Sequence, residues 1–347
     1  MIDAFADTIR RAAADGRTLR IRGSGSKDFY GVALEGDVVD TGSHAGIVDY
    51  DPSELVITVR SGTSLTEVEN KLAECGQMLA FEPPHFGAGS TIGGAVASGF
   101  SGPRRAAAGS VRDFVLGARV LDATGRDLSF GGQVMKNVAG YDLSRFIAGS
   151  FGTLALITEV SLKVLPRPVA EATLCFDMDE ARAIETMNRW AGQPLPLSAT
   201  GFVDGMLWVR LSGAKAAVDA ALKKLGGEQP ADAAAFWASL RDQTHPFFAG
   251  AGPLWRLSIR STAGPVKLGS QLIEWNGALR WIAADLEAEG AHRAAQSAGG
   301  HATLYRGGAR SAGIQRLAPP VLALHQRLKR ALDPQGVFGR HRIHPEF

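Results

Sequence analysis

Three glycine-rich loops carry the residues best suited to hold an anion. The first, Arg22-Gly23-Ser24-Gly25-Ser26-Lys27, follows the alternating segment Thr18-Leu19-Arg20-Ile21. Residues that tolerate positive φ let successive N–H groups turn inward as a nest for an anion such as a pyrophosphate, and the serine hydroxyls add donors. Two familiar nucleotide fingerprints fail here. Asp28 stands where G-x-G-x-x-G needs its third glycine, and the Gly-Lys-[Ser/Thr] of a Walker loop is absent. A plain turn between strands accounts for this loop equally well.

The second loop, Gly87-Ala88-Gly89-Ser90-Thr91-Ile92-Gly93-Gly94-Ala95-Val96-Ala97-Ser98-Gly99, places a helix start near Thr91. Its free N–H groups and positive dipole end would face whatever lies in front. Gly93 and Gly94 each cost about 1 kcal/mol relative to Ala inside a helix. The pair therefore marks a close approach of backbone to a ligand, with tight helix-on-sheet packing as the competing reading. The third runs from Lys136-Asn137-Val138-Ala139-Gly140-Tyr141 through Gly149-Ser150-Phe151-Gly152-Thr153 to Ile157-Thr158-Glu159-Val160, ending in a buried strand. Lys136 and Tyr141 read as ligands or as ordinary fillers with equal ease.

These loops need elements to hold them. Phe5 and Ile9 share a face of an N-terminal helix, and strands are predicted at Thr18–Ile21, Val38–Asp40, Leu55–Val59, Val115–Leu121 and Thr153–Leu165. Ser64 and Glu67 fit a capping box opening a helix with Leu65, Val68 and Leu72 on one face. Leu165-Pro166-Arg167-Pro168 marks a boundary, since two prolines in three residues interrupt strand or helix. Beyond it, helices are predicted at Asp179–Trp190, Ala214–Leu225 and Asp232–Leu240, with strands at Met206–Leu211 and Trp255–Ser261. The expected class is α+β, in two domains.

Composition agrees with two parts. Glycine reaches 42 of 347 residues, about 12 % against an average near 7 %, while proline, at 16, is ordinary. Fourteen glycines fall between His85 and Gly152, and all six tryptophans fall after Leu165. Net charge is only +2, without a basic run, which argues against nucleic acid as a partner. Cys75 and Cys175, one hundred residues apart, supply neither a disulfide framework nor a ligand set for a metal or cluster. The first residues lack the apolar core of a secretory signal, and no stretch is apolar enough to span a membrane. The expectation is a cytoplasmic protein with no metal site and no direct membrane insertion.

The order of the three loops resembles the FAD-binding domain of the vanillyl-alcohol-oxidase and p-cresol-methylhydroxylase (PCMH) type. The likeness covers residues 15–170, and Asp333-Pro334-Gln335-Gly336-Val337-Phe338 is similar to that family's C-terminal return. Within the family, the run Lys136 to Pro166 is most similar to the E subunits of bacterial glycolate oxidases. The resemblance implies a two-subdomain FAD-binding fold over 1–168, a smaller α+β cap or interaction domain over 169–312, and a return to the FAD domain over 313–347. It assigns Gly23, Ser24, Gly25 and Ser26 to the FAD pyrophosphate, and Thr91, Gly93, Gly94 and Ser98 to the segment along pyrophosphate and flavin. Gly109, Ser110 and Asp113 match a turn beside the cofactor; Gly152, Thr153 and Ile157 match the backbone lining it. Some relatives bind FAD covalently through His or Cys in these loops. Here no histidine lies between Gly23 and Gly31 and no cysteine between His85 and Gly152, so non-covalent FAD is expected.

The implied activity is oxidation of glycolate, or the related D-lactate, to the 2-oxo acid. Electrons would pass through flavin to an iron–sulfur subunit, beside a larger flavin-binding subunit of the same complex, with any membrane association through those partners. Related dehydrogenases carry an H-x-G-D-G-N-x-H motif that His245, His292 and His301 all lack. His301 and Arg306, in the loop Gly300–Gly308, are the weak candidates for a base and a carboxylate clamp. A surface hairpin is the stronger reading, and a non-catalytic FAD relay or a stand-alone FAD oxidase stay as alternatives. The six tryptophans fill a core or, at Phe236 and Trp237 in the helix Ala231–Leu240, a docking surface.

Overall fold

The computed structural model describes residues 1–32, 34–132, 143–308, 313–314 and 316–347; Lys136 and Tyr141 lie outside them. From the N-terminus run α1 (Ile2–Ala14), β1 (Leu19–Arg22), β2 (Asp37–Asp40), β3 (Ile47–Asp51), β4 (Val56–Arg60), α2 (Leu65–Glu74), β5 (Gln77–Met78) and α3 (Ile92–Ser98). Short helices α4 (Arg105–Ala108) and α5 (Val111–Phe114) precede β6 (Val115–Leu121), β7 (Asp127–Gly131), β8 (Leu156–Lys163) and β9 (Leu165–Pro166). Next come β10 (Ala170–Asp177), α6 (Glu180–Ala191), β11 (Leu197–Val203), β12 (Met206–Gly213), α7 (Lys215–Leu225) and α8 (Ala233–Arg241). The chain closes with β13 (Leu254–Ser258), β14 (Gln271–Glu274), β15 (Leu279–Ala283), α9 (Ala288–Ser297), β16 (His301–Arg306) and α10 (Pro319–Leu332).

Two compact units result: Met1–Phe100 with Ser110–Pro166 and Arg316–Phe347, and Ser101–Gly109 with Arg167–Gln315. The first unit holds a five-stranded antiparallel sheet, ordered β3-β4-β8-β6-β7, and a separate parallel pair, β1 and β2. Val56, Ile57, Thr58 and Val59 are buried in succession, as expected of a strand covered on both faces. The predicted strand Thr153–Leu165 begins only at Leu156, and Leu165–Pro166 still pairs briefly with Gln77–Met78. Proline is tolerated there because the pairing ends with it. α2 opens as the sequence predicts, with the Glu67 N–H donating to the Ser64 hydroxyl at 3.1 Å.

The C-terminal segment completes this unit by strand addition. The Leu19 N–H donates to the Val337 carbonyl (2.6 Å), and the Gly339 N–H donates to the Leu19 carbonyl (2.9 Å). Buried Asp333 explains the motif that precedes it: its carboxylate accepts from the N–H groups of Val337 (2.7 Å) and Phe338 (2.8 Å). Lys329 on α10 donates to that carboxylate and to the carbonyls of Thr153 and Phe338, each at 2.6 Å. Phe338 then joins Ile9, Leu19, Val39, Leu121 and Leu156 in one core. Each such side chain contributes about 1.5–3 kcal/mol by leaving water.

The second unit is a seven-stranded antiparallel sheet, ordered β10-β12-β11-β14-β15-β13-β16. α6 and α7 bury Ile184, Met187 and Val218 against it, and α9 buries Ala291 and Ala295. Segment Ser101–Gly109 belongs here: the Trp275 indole donates to the Gly102 carbonyl at 3.1 Å, and Arg104 pairs with Glu171 at 2.8 Å. The tryptophans are core residues, four of them buried and Trp190 and Trp208 half-buried. The docking reading of Phe236 and Trp237 fails. Both are buried, with Phe236 stacked on Trp208 at 3.9 Å and the Trp237 indole donating to Thr173 at 2.9 Å.

Candidate cofactor cleft

The first two glycine loops meet at a cleft of about 910 Å³, open to solvent, within the first unit. Ten of the fourteen residues proposed from sequence line it: Gly23, Ser24, Gly25, Ser26, Thr91, Gly93, Gly94, Ser98, Gly152 and Ile157. Their convergence has local causes. Gly25 sits at φ +76°, the left-handed region that only glycine enters without strain, and turns the chain directly after β1. Among the described residues the N–H groups of Gly23, Ser24 and Gly25 find no acceptor, which leaves them available to an anion. The two loops are tied by Ser26 and Ser90, whose hydroxyls lie 2.9 Å apart.

Thr91 caps α3 by accepting the Gly94 N–H at 3.2 Å. The two glycines behind it differ in purpose. A Cβ at Gly93 would lie 2.6 Å from the Ser61 Cβ and 2.7 Å from its carbonyl, so Gly93 is there for close packing. A Cβ at Gly94 would meet the Thr91 hydroxyl at 3.2 Å and the Lys27 ammonium at 3.8 Å, on the cleft side. Both glycines line the cleft, and packing against Ser61 is what requires Gly93.

Four predicted residues are placed elsewhere. Thr153 is buried, donating to the Ser150 carbonyl while its own carbonyl receives Lys329. Ser110 and Asp113 form the capping box of α5, and Gly109 ends α4 at φ +105°. Their matched spacing reflects helix boundaries. His301 and Arg306 stand at opposite ends of β16, about 16 Å apart at strand rise, and not in a hairpin. Arg306 donates to the Phe248 carbonyl. Partial desolvation and the Arg256 guanidinium push the His301 pKa down. No base and clamp converge there.

Charge also lines the cleft. Arg20, Arg22, Lys27 and Arg342 reach it, with Asp28 and Glu35. Asp28, the residue that breaks the G-x-G-x-x-G pattern, pairs with Arg22 at 3.0 Å. Arg342 donates to the carbonyls of Tyr30 and Lys27, bringing the C-terminal segment to the nest. Burial lowers the Lys27 ammonium to about 8. Among the described residues the buried Ser61 hydroxyl and Arg20 Nε find no hydrogen-bond partner. Ile21, Phe151, Ala155 and Ile157 add apolar lining suited to a planar ring.

Sequence reasoning missed Lys27, Ser61, Gly339 and Arg342 as lining residues. Lys27 ends the first quoted loop and Gly339 directly follows the Asp333–Phe338 motif, so proximity in sequence was the available signal. The lining residues include no histidine or cysteine. Free donors, a buried cation and an apolar ring wall together match a dinucleotide carrying a diphosphate and a flat heterocycle.

Comparisons with known proteins agree. The FAD binding domain family matches residues 2–131. The chain is 48 % identical to glycolate oxidase subunit GlcE of Escherichia coli, over 99 % of this chain and 97 % of that protein. It is 35 % identical to glycolate oxidase subunit GlcD of Bacillus subtilis over 44 % of this chain and 33 % of that one. The structure of p-cresol methylhydroxylase with substrate bound superposes with a TM-score of 0.73 at 16 % identity, covering all of this chain and 88 % of that chain, and shows the shared fold.

Proposed function

We propose, on the premise that this chain belongs to the family of FAD-binding glycolate oxidase E subunits, that it is the E subunit of a multi-subunit glycolate oxidase. The near end-to-end identity of 48 % carries this reading, and the cleft supports it. The complex oxidises glycolate, or the related D-lactate, to the 2-oxo acid, and FAD when bound supplies the hydride acceptor. Gly23, Ser24 and Gly25 would hold the diphosphate through their N–H groups, with the Ser24 and Ser26 hydroxyls beside them. Ile21, Phe151 and Ile157 would pack on a ring and exclude water from it. FAD is held without a covalent bond, a reading supported by a lining that lacks His and Cys.

The partners proposed are a larger flavin-binding subunit and an iron–sulfur subunit. Cys75 is free and exposed in one unit, and Cys175 is free and buried in the other. Among the described residues no helix is long and apolar enough to cross a membrane. Any membrane association would therefore rest with the partners. The placement of His301 and Arg306 at opposite ends of β16 favours a second reading, in which this flavin relays electrons and substrate oxidation occurs on the partner.

One experiment separates the two. The purified chain, loaded with FAD, is mixed anaerobically with glycolate. Bleaching near 450 nm without partners would sink the relay. An oxidised spectrum that persists until the partner subunits are added would sink oxidation by this chain alone. Failure to retain FAD at all would overturn the cofactor assignment.

A further inference from the structure

Among the described residues Lys27 is the one lysine that lines the cleft, and its surroundings do not explain it. The residue is only 9 % exposed, yet among the described residues none of its hydrogen bonds or ion pairs is with a carboxylate. It donates one long hydrogen bond to Ser26 Oγ (3.3 Å), and its ammonium lies 5.6 Å from the centre of the Phe86 ring. A desolvated ammonium with so little compensation is costly to keep.

The other charges around it are already committed. Arg22 pairs with Asp28 on the same loop (3.0 Å). Arg342, from the C-terminal segment, donates to the carbonyls of Lys27 and Tyr30. On the segment carrying Phe86, His85 pairs with Glu69 (3.0 Å). Arg20 and Glu35 line the cleft as well, but burial is the single cause acting on the Lys27 pKa. What stands next to the ammonium is polar and neutral: the Ser26 hydroxyl, Ser90 beyond it, and Gly94, where a Cβ would be 3.8 Å away. The free N–H groups of Gly23, Ser24 and Gly25 belong to the same loop. This polar cluster suits phosphate oxygens and offers a ring little to stack on.

We infer that Lys27 is the counter-charge for the diphosphate of the bound dinucleotide, closing the nest with a buried cation that protein carboxylates leave free. The inference rests on the cleft being the FAD site. It has a signed pH consequence. In the empty protein the ammonium loses its proton near pH 8. A dianion beside it raises that pKa, so above pH 8 binding must take up a proton. Affinity is then level below about pH 8 and falls as pH rises past it, approaching tenfold per pH unit.

The test uses the full chain stripped of FAD, titrated with FAD, ADP and riboflavin at pH 6.5, 8 and 9. With all fold-changes compared at pH 6.5, where Lys27 is charged, Lys27→Met should weaken FAD about 30-fold, the size of a charge-assisted hydrogen bond, and abolish the pH dependence. ADP should lose a similar factor, and riboflavin, which has no diphosphate, should lose none. Lys27→Arg should stay within about fivefold of wild type and be flat with pH, since guanidinium keeps its proton. Circular dichroism of each empty variant checks the fold; Lys27→Met should melt no lower than wild type, having shed a desolvated charge. Retention of FAD affinity within threefold in Lys27→Met, or an equal loss of riboflavin, would overturn the assignment. Wild type failing to bind FAD would instead overturn the site itself.

Discussion

Replacing Asp333 with alanine should cost the first unit about 4 kcal/mol. The carboxylate is 2 % exposed and receives Lys329 Nζ at 2.6 Å and the N–H groups of Val337 and Phe338 at 2.7 and 2.8 Å. Breaking a buried pair by removing one partner costs about 3–5 kcal/mol, because the other charge stays behind unpaired. The orphaned N–H groups push toward the top of that range. In a unit of about 190 residues each kcal/mol lowers the midpoint by about 2–4 °C, so thermal unfolding should shift by about 8–16 °C. Burial also lowers the Lys329 pKa, with Asp333 opposing it, so the pair carries a desolvation cost of its own. Removing both charges, with Lys329→Met and Asp333→Leu together, should therefore recover at least half the loss. Circular dichroism melts and urea titrations of Asp333→Ala, of the singles Asp333→Leu and Lys329→Met, and of their double measure this directly. A single-variant cost below about 1 kcal/mol, or a double variant equal to the sum of the singles, would refute the reasoning.

The remaining expectations are quicker to test. Gly93→Ala drives a Cβ to 2.6 Å from Ser61 and should destabilise by about 1–3 kcal/mol, lowering the flavin absorbance of purified protein. Gly250→Ala, where a Cβ meets nothing within 4 Å, should change stability by less than about 0.5 kcal/mol. Acid precipitation should release all the FAD into the supernatant; yellow colour left on the pellet would mean a covalent link. His301→Ala in the assembled complex should leave turnover within about twofold, a change below 0.5 kcal/mol, and a larger loss would restore His301 as a candidate.

The elements were legible where short-range physics decides them. Ser64 and Thr91 cap helices because a hydroxyl can accept a nearby N–H, and the sequence displays that in four residues. Asp179 caps α6 in the same way. The Gly23–Ser26 nest was legible for a similar reason, since backbone freedom is local. Lys27 and Ser61 were not, because their burial depends on chain arriving from Phe86 and α3. Gly109, Ser110 and Asp113 do not line the cleft; their spacing serves the ends of two short helices. His301 and Arg306 sit close in sequence, but a strand holds them apart where a hairpin would have gathered them. The aromatic face of α8 could be placed only once Trp208 on β12 was seen to cover it.

The split of the first unit into three stretches of chain imposes a timetable on its birth. Leu19 is translated early, yet the backbone that bonds to it, Val337 and Gly339, leaves the ribosome about three hundred residues later. The second unit's strands, β10 to β16, lie between those two stretches of the chain. Until α10 and the residues after it emerge, β1 has a bare edge and the cleft lacks Gly339 and Arg342. Without the segment after Asp333, the cleft would have neither Gly339 nor the Arg342 guanidinium that holds the Lys27 carbonyl.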